Sequence, residues 1–224
     1  MKTKSCSKAR KIAEAYLTAK ETVVSSGYGP EIDWQDTRQL TSLSENEFLQ
    51  ESAWVILCAG MRETVIRQIF KKISPTFMYW KDAKSITESA GLCESKALAI
   101  FNHPRKISAI LSVCKKVSEL GFERIQHLIH LQGVDFLKTF DFIGPVTCYH
   151  LAKNIGLDVV KPDRHLVGIA KATRFPNPHD LCFLIAEMTG DKIAVVDLVL
   201  WRYATLNDEY VTFFAFEKKG EVYS

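Results

Sequence analysis

Hydrophobic positions in this chain repeat with helical spacing over most of its length. Three stretches place apolar residues three and four positions apart, which lines one face of an α-helix. They lie at residues 49–69, 107–117 and 122–131. The first stretch comprises Leu49, Ala53, Trp54, Leu57, Met61, Val65 and Ile69, with a break near Gly60. The pattern predicts an all-α fold.

The C-terminal part continues this pattern with one change at its end. Residues 191–204 are strongly apolar and predict a helix at the centre of a core. Trp201 and the upstream Phe183 belong to apolar helices, so we expect both in the core. Residues 210–216 are rich in aromatic and β-branched side chains, which suits either a short strand or a packed tail.

Residues 134–156 predict two short helices around a tight turn. The first covers residues 134–140, the turn covers 141–145, and the second covers 146–155 and is closed by Gly156. Such a turn presents backbone N–H groups and the positive end of the helix dipole. Together they can bind a backbone phosphate of a nucleic acid, whatever its base sequence. An ordinary pair of antiparallel helices has the same pattern, so both interpretations stay open.

Composition limits the class of protein. The chain has 224 residues, 47% of them hydrophobic and 25% charged, enough for one domain or two small ones. The basic N-terminus lacks the apolar region of a signal peptide, and the apolar stretches fall short of the ~20 residues that span a bilayer. We therefore expect a cytoplasmic protein, or a nuclear one in a eukaryote, with no membrane contact.

Charge is unevenly distributed although the net charge is only +3. Residues 62–124 carry twelve Lys and Arg against six Asp and Glu, and the first twenty residues are also basic. An acidic stretch at residues 31–51 separates these two segments. The segregation suits a basic face that attracts phosphates, while solvated helix surfaces explain it as well.

The six cysteines are scattered and form no Cys-x-x-Cys pair. This spacing argues against zinc and iron–sulfur ligation. Without a secretory signal, disulfides are not expected either. We therefore expect reduced thiols and no metal site.

Residues 140–149 (FDFIGPVTCY) and 160–165 (VKPDRH) resemble the helix-hairpin-helix DNA glycosylase superfamily, which includes endonuclease III and the alkylpurine glycosylases. Residues 54–64 (WVILCAGMRET) are similar, more loosely, to its early core helix and base-wedge loop. The resemblance implies an endonuclease III-like fold with two helical subdomains. One is formed by residues 48–157, the other by 1–47 with 158–224, and DNA binds in the cleft between them.

By this resemblance Asp163 is the catalytic carboxylate. Cleavage of an N-glycosidic bond develops positive charge on the deoxyribose, which a carboxylate stabilises while it orients or deprotonates the attacking water. An aspartate after Pro162 at a helix start is also a good N-cap, worth ~1 kcal/mol. The two roles are compatible because a capping side chain is held rigidly.

The family members that also cleave the strand carry a lysine at the position of Val146. Valine cannot be a nucleophile, so we expect a monofunctional glycosylase that uses water; Lys153 and Lys161 stand at other positions. Residues 59–66 and 106–110 are similar to the bacterial 3-methyladenine glycosylase I. This similarity favours alkylated purines as the substrates. Oxidised guanine, a mispaired base, or a DNA-binding hairpin module without catalysis remain the alternatives.

The resemblance also assigns the supporting residues. Hairpin residues Ile143, Gly144, Val146 and Thr147 would contact DNA, and so would Arg164 and His165 after the aspartate. Met61 and Arg62 stand at the base wedge, where Met61 could equally be core. Four aromatic residues are candidates for stacking on a flipped base, although each could also be core: Trp54, Tyr79, Trp80 and Tyr149.

Phe142 stands where the hairpin usually has its first glycine, and phenylalanine disfavours positive φ, which predicts a distorted turn. No iron–sulfur cluster is expected, because no cysteine follows Cys182. We expect no cofactor; the one ion left open is a monovalent cation at the hairpin carbonyls. The expected partner is duplex DNA with a damaged base, bound by a monomer.

Overall fold

The computed structural model describes residues 2–215, with side chains from residue 7 onwards. Within residues 2–215 the regular structure is helical and no β-strand occurs, so the predicted all-α fold is confirmed. The segment for which the sequence allowed a strand or a tail contains a short helix, Tyr210–Phe214. Phe216 and the Cys6 side chain lie outside the described part.

Fourteen α-helices follow one another in the described part of the chain, joined in places by short segments of 3₁₀- or π-helix at Val24–Tyr28, Leu40–Ser42 and Ser74–Trp80. The α-helices are α1 (Lys2–Val23), α2 (Gly29–Thr37), α3 (Glu45–Cys58), α4 (Glu63–Ile73), α5 (Ala83–Glu88), α6 (Ala90–Ile100), α7 (Pro104–Leu120), α8 (Phe122–Gln132), α9 (Val134–Leu137), α10 (Thr147–Asn154), α11 (Arg164–Ala172), α12 (Pro178–Thr189), α13 (Ile193–Leu206) and α14 (Tyr210–Phe214).

The chain divides into two compact units. Unit 1 comprises Met1–Thr37 and Asp158–Ser224, and unit 2 comprises Arg38–Leu157. The sequence-based boundaries are 47–48 and 157–158, so the first of them differs. The reason is Arg38, whose guanidinium pairs with Glu47 at 2.5 Å and with Glu51 at 3.7 Å, both on α3.

Unit 1 is built around α13. Its Val195, Val196, Val199 and Leu200 are all at most 1% exposed, because the helix is apolar on nearly every side and is covered by α1, α2, α11 and α12. Trp201 packs against the same core, as expected. The core assignment of Phe183 is wrong: it is 49% exposed and stacks on the His179 ring on the outer side of α12.

Unit 2 has its core between α3 and α7, whose apolar faces pack together. A capping box starts α3, with Ser44 accepting from the Glu47 amide and Glu47 accepting from the Ser44 amide. The long apolar stripe seen in the sequence is interrupted at Gly60, which has a φ of +70°. The break expected near Gly60 therefore separates α3 from α4.

The hairpin region at residues 134–156 also belongs to unit 2. Its first helix ends at Leu137 rather than Phe140, because the next amides bond three residues back, as from Phe140 N to Leu137 O. Its second helix ends in Asn154, whose side chain donates to the buried Glu51 carboxylate at 2.8 Å. Gly156 follows with a φ of +93°.

Candidate functional site

Asp163 is the N-cap of α11 in unit 1. Its Oδ1 accepts hydrogen bonds from the amides of His165 at 2.9 Å and Leu166 at 3.1 Å. Its other oxygen, Oδ2, accepts no hydrogen bond from any described residue, and the side chain is partly exposed. One carboxylate oxygen therefore fixes the group, while the other accepts no hydrogen bond from the described residues.

The loop that carries Asp163 is attached to α13 at two points. Asp197, 1% exposed, accepts from the Lys161 amide at 2.6 Å. Asp158 accepts from the Ala194 amide at 2.7 Å. The Lys161 carbonyl in turn accepts from the Asp163 amide at 2.8 Å. The Asp163 backbone is thus held from both sides, which is the rigidity that a positioned catalytic group needs.

Arg164 and His165 lie beside the aspartate in sequence and in space. Arg164 is exposed, and its Nε donates to His165 Nε2 at 3.3 Å. The His165 ring packs against Tyr210 with centroids 5.4 Å apart, and its Nδ1 is buried without a hydrogen-bond partner among the described residues. Burial lowers the pKa of His165 below its ordinary value, because an imidazolium loses its hydration inside the protein.

Only some of the backbone amides in the hairpin turn of unit 2 are free to bind a phosphate. Ile143 is 3% exposed and anchors the turn in the core. The Gly144 amide donates to the Thr147 hydroxyl at 2.6 Å, so Thr147 already satisfies one of the amides expected to bind phosphate. Val146, the N-cap residue of α10, is 43% exposed. The first amides of α10, at Val146 and Thr147, are those that a helix leaves unpaired.

Phe142 adopts a backbone conformation that its side chain disfavours. Its φ is +66°, in the left-handed region, which costs roughly 1–2 kcal/mol for a residue with a Cβ. Ring contacts offset this cost: the Arg105 guanidinium lies 5.9 Å and the Lys106 ammonium 5.8 Å from its centroid. His103 packs on it edge to face at 6.2 Å. The turn therefore holds a left-handed residue even without glycine.

Met61 and Arg62 form the turn between α3 and α4. The Met61 amide donates to the Cys58 carbonyl at 3.0 Å, and Gly60 supplies the positive φ. The Met61 side chain is 39% exposed, and Arg62, the N-cap of α4, is exposed. Both side chains therefore reach solvent, as a wedge into DNA requires.

The aromatic candidates occupy different environments. Trp80 is 1% exposed and stacks on Phe77 at 4.9 Å and on Phe70 at 5.6 Å, so it is a core residue and its assignment to a base pocket is wrong. Trp54 is partly buried and packs edge to face on Phe70 at 5.3 Å. Tyr149 is partly buried on α10.

Tyr79 is 68% exposed, in contrast to its neighbour Trp80. It follows α4, whereas the Met61 turn precedes α4. The Tyr79 carbonyl accepts from the Asn46 side chain in the first turn of α3, whereas the Met61 turn follows the end of the same helix. The two candidates are therefore held at opposite ends of α3.

Lys106 is a residue that the sequence interpretation missed. It is 2% exposed, and its ammonium donates to the carbonyls of Leu57 at 2.5 Å and Ala59 at 2.7 Å. A signal was present: Lys106 lies four residues before Ile110, on the apolar stripe of α7. A lysine on a buried stripe needs acceptors inside the protein.

Among residues 2–215, no three His, Cys, Asp or Glu side chains are grouped closely enough to hold a metal ion. None of the helices in this part of the chain has the length and apolarity needed to cross a membrane.

Comparison with known proteins gives one distant structural similarity. No protein-family model matches the sequence, and no curated protein matches it either. Among solved structures, the chain is similar to an 8-oxoguanine glycosylase/lyase from Methanocaldococcus jannaschii in complex with a 15mer DNA containing 8-oxoguanine. The two share 18% identity with a TM-score of 0.48, over 85% of this chain and 97% of the other.

Proposed function

We propose that this protein is a DNA N-glycosylase that removes a damaged base from duplex DNA, with Asp163 as its catalytic carboxylate. The observation that carries the proposal is that the two oxygens of this carboxylate have different hydrogen-bonding environments. Oδ1 is fixed by two amides of α11, and Oδ2 is left without a donor among the described residues. A residue that served only as a cap has no need of a loop attached twice to α13.

The reaction that suits this carboxylate is hydrolysis. The bond between C1′ of the deoxyribose and the base nitrogen breaks, and the bonding electrons leave with the base. The negative Oδ2 stabilises the charge that develops on the sugar and accepts a proton from the attacking water. The water oxygen then bonds to C1′, leaving an abasic site and a free base.

The preferred substrate in this proposal is an alkylated purine that carries a positive charge. The His165 ring, two positions after Asp163, packs against Tyr210 with its Nδ1 buried, and its Nε2 accepts from Arg164, so neither ring nitrogen is placed to donate a proton to a departing base. A cationic base leaves as a neutral molecule and needs no proton. The proposal therefore places alkylated purines ahead of neutral bases, with oxidised guanine as the alternative.

Two surface features of unit 2 support duplex DNA as the partner. The first amides of α10 suit a backbone phosphate, and the exposed Met61 suits the gap left by a flipped nucleotide. Arg62 stands beside Met61 and can reach a phosphate. Base flipping is required because the C1′ bond of a stacked base is not accessible to a side chain.

Because Val146 has no amine, it cannot form the Schiff base with C1′ that strand cleavage needs. The proposal therefore includes no strand cleavage. We expect that borohydride will trap no covalent protein–DNA complex during turnover, as judged by a band shift in a denaturing gel. The matched variant Val146→Lys introduces an amine at this position and serves as a control for the chemistry. Efficient trapping by the unmodified chain would overturn the assignment to hydrolysis alone.

The decisive test is a screen of free-base release. The purified chain is incubated with duplex oligonucleotides that each carry one lesion: 3-methyladenine, 7-methylguanine, 8-oxoguanine, uracil or a mispaired adenine. We expect release of an alkylated purine, detected by chromatography. Binding without release across the panel would favour a hairpin module without catalysis, and no binding would leave the hairpin as a purely structural element.

A further inference from the structure

Lys106 contacts two segments of unit 2 at once. Its ammonium donates to the carbonyls of Leu57 and Ala59, at 2.5 and 2.7 Å, where α3 ends. The same ammonium lies 5.8 Å from the ring centroid of Phe142, in the hairpin turn. One side chain thus joins the Met61 turn to the hairpin turn.

The environment of this lysine is costly, which argues for a specific role. Burial lowers the pKa of Lys106, because an ammonium loses its hydration inside the protein. The carbonyls at the end of α3 carry the negative end of the helix dipole and compensate part of this loss. A cap for α3 alone could be made from an exposed side chain, without burying a charge.

The contact with Phe142 connects Lys106 to the hairpin turn, which a residue that only caps α3 would not do. Phe142 is the residue with the disfavoured φ of +66°, and three groups from the start of α7 surround its ring: His103, Arg105 and Lys106. The face of an aromatic ring attracts a cation at these distances. Lys106 is the member of the three that also holds α3.

We infer that Lys106 is a positioning residue that fixes the Met61 turn relative to the hairpin turn. The inference rests on the proposed function, in which Met61 enters the base stack while the hairpin holds the backbone. Flipping a nucleotide needs both elements in one geometry, whereas binding to an intact duplex does not need Met61 inside the base stack. Loss of Lys106 should therefore slow base release far more than it weakens binding.

The activity test compares Lys106→Met with Lys115→Met, an exposed lysine on the same helix. In single-turnover assays we expect Lys106→Met to slow release of a paired lesion on the order of 10- to 100-fold. The defect should shrink when the lesion stands opposite an abasic site, because an unpaired base costs less to flip. Equal slowing on both duplexes would show general structural damage and overturn the inference.

A second measurement does not depend on activity, so it stands even if the chain releases no base. Hydrogen exchange in the free protein follows the amides of Met61 and Ile143, which bond to Cys58 and Phe140. We expect both amides to exchange faster in Lys106→Met and neither to change in Lys115→Met. Faster exchange at Met61 alone would reduce Lys106 to a cap for α3 and overturn the coupling.

Phe142→Leu provides the reverse experiment and covers the case in which Lys106→Met does not fold. This variant removes the aromatic ring from the hairpin and leaves α3 unchanged. If Lys106 couples the turns, the Met61 amide should exchange faster as well. An unchanged Met61 amide would contradict the inference.

Discussion

Replacing Asp163 with asparagine is expected to slow base release about 10²- to 10⁴-fold, the usual loss on removing a general base. Asparagine is as good an N-cap as aspartate, so the bonds to the His165 and Leu166 amides can persist. The neutral amide can neither stabilise the charge on the sugar nor take a proton from water. Single-turnover release and equilibrium duplex binding should therefore separate, with binding nearly unchanged.

Asp82 offers a matched control for this substitution. It caps α5 in unit 2, where its Oδ1 accepts from the Ser85 amide at 2.7 Å. Asp82→Asn makes the same chemical change at the same kind of position and should leave release unaffected. If Asp163→Asn released base at the rate of Asp82→Asn, Asp163 would be a cap and the catalytic assignment would fail.

Replacing Trp80 with alanine is expected to cost about 3–5 kcal/mol of unfolding free energy, the range for a large buried aromatic residue. The indole is stacked on Phe77 and Phe70, and its Nε1 donates to the Ser74 hydroxyl at 3.1 Å. Denaturant unfolding of the whole chain, followed by circular dichroism, measures the effect.

Tyr79→Ala is the natural comparison, because the two aromatic residues are adjacent and differ mainly in burial. Because Tyr79 is 68% exposed, its replacement should lower the unfolding free energy by no more than about 0.5 kcal/mol. The result to look for is a clear separation between the two variants. Similar unfolding free energies would contradict the placement of Trp80 in the core.

The helices were predictable because their signals are local. The apolar repeat along residues 107–117 and the apolar residues of α13 each predict a buried helix without knowledge of the rest. Asp163 was predictable for a similar reason, since its cap position follows from Pro162 and the helix after it. These features depend on neighbours a few residues away.

The segment at residues 78–80 was not predictable in this way. Met78, Tyr79 and Trp80 all have positive φ, between 52° and 65°, although none is glycine. This conformation turns Trp80 into the core and Tyr79 outwards. Asn46, far away in sequence, holds it by donating to the carbonyls of Tyr79 at 3.0 Å and Trp80 at 2.9 Å. Local propensity cannot anticipate a conformation that depends on such a tertiary contact.

The roles of Asp197 and Lys106 were hidden for the same reason. Each is a charged residue within an apolar helix, and the sequence marks it only as an exception to the pattern. The partners are the Lys161 amide and the Leu57 and Ala59 carbonyls, which the fold alone brings near. Nearly every residue type has the same backbone N–H and C=O groups, so the sequence does not indicate which of them will bond to a buried side chain.

Gly156 has a consequence for how the chain is organised. A Cβ at this position would lie 2.6–2.7 Å from the backbone of Gln39, so the two ends of unit 2 touch and only glycine permits the approach. Within unit 1, the flanking residues also converge on the start of α13, where Lys192 donates to the Asp36 carbonyl and the Ala194 amide to Asp158. Unit 2 thus has the form of an inserted domain, with entry and exit at one point. Domains whose ends lie close together are the kind that tolerate insertion into another chain and circular permutation.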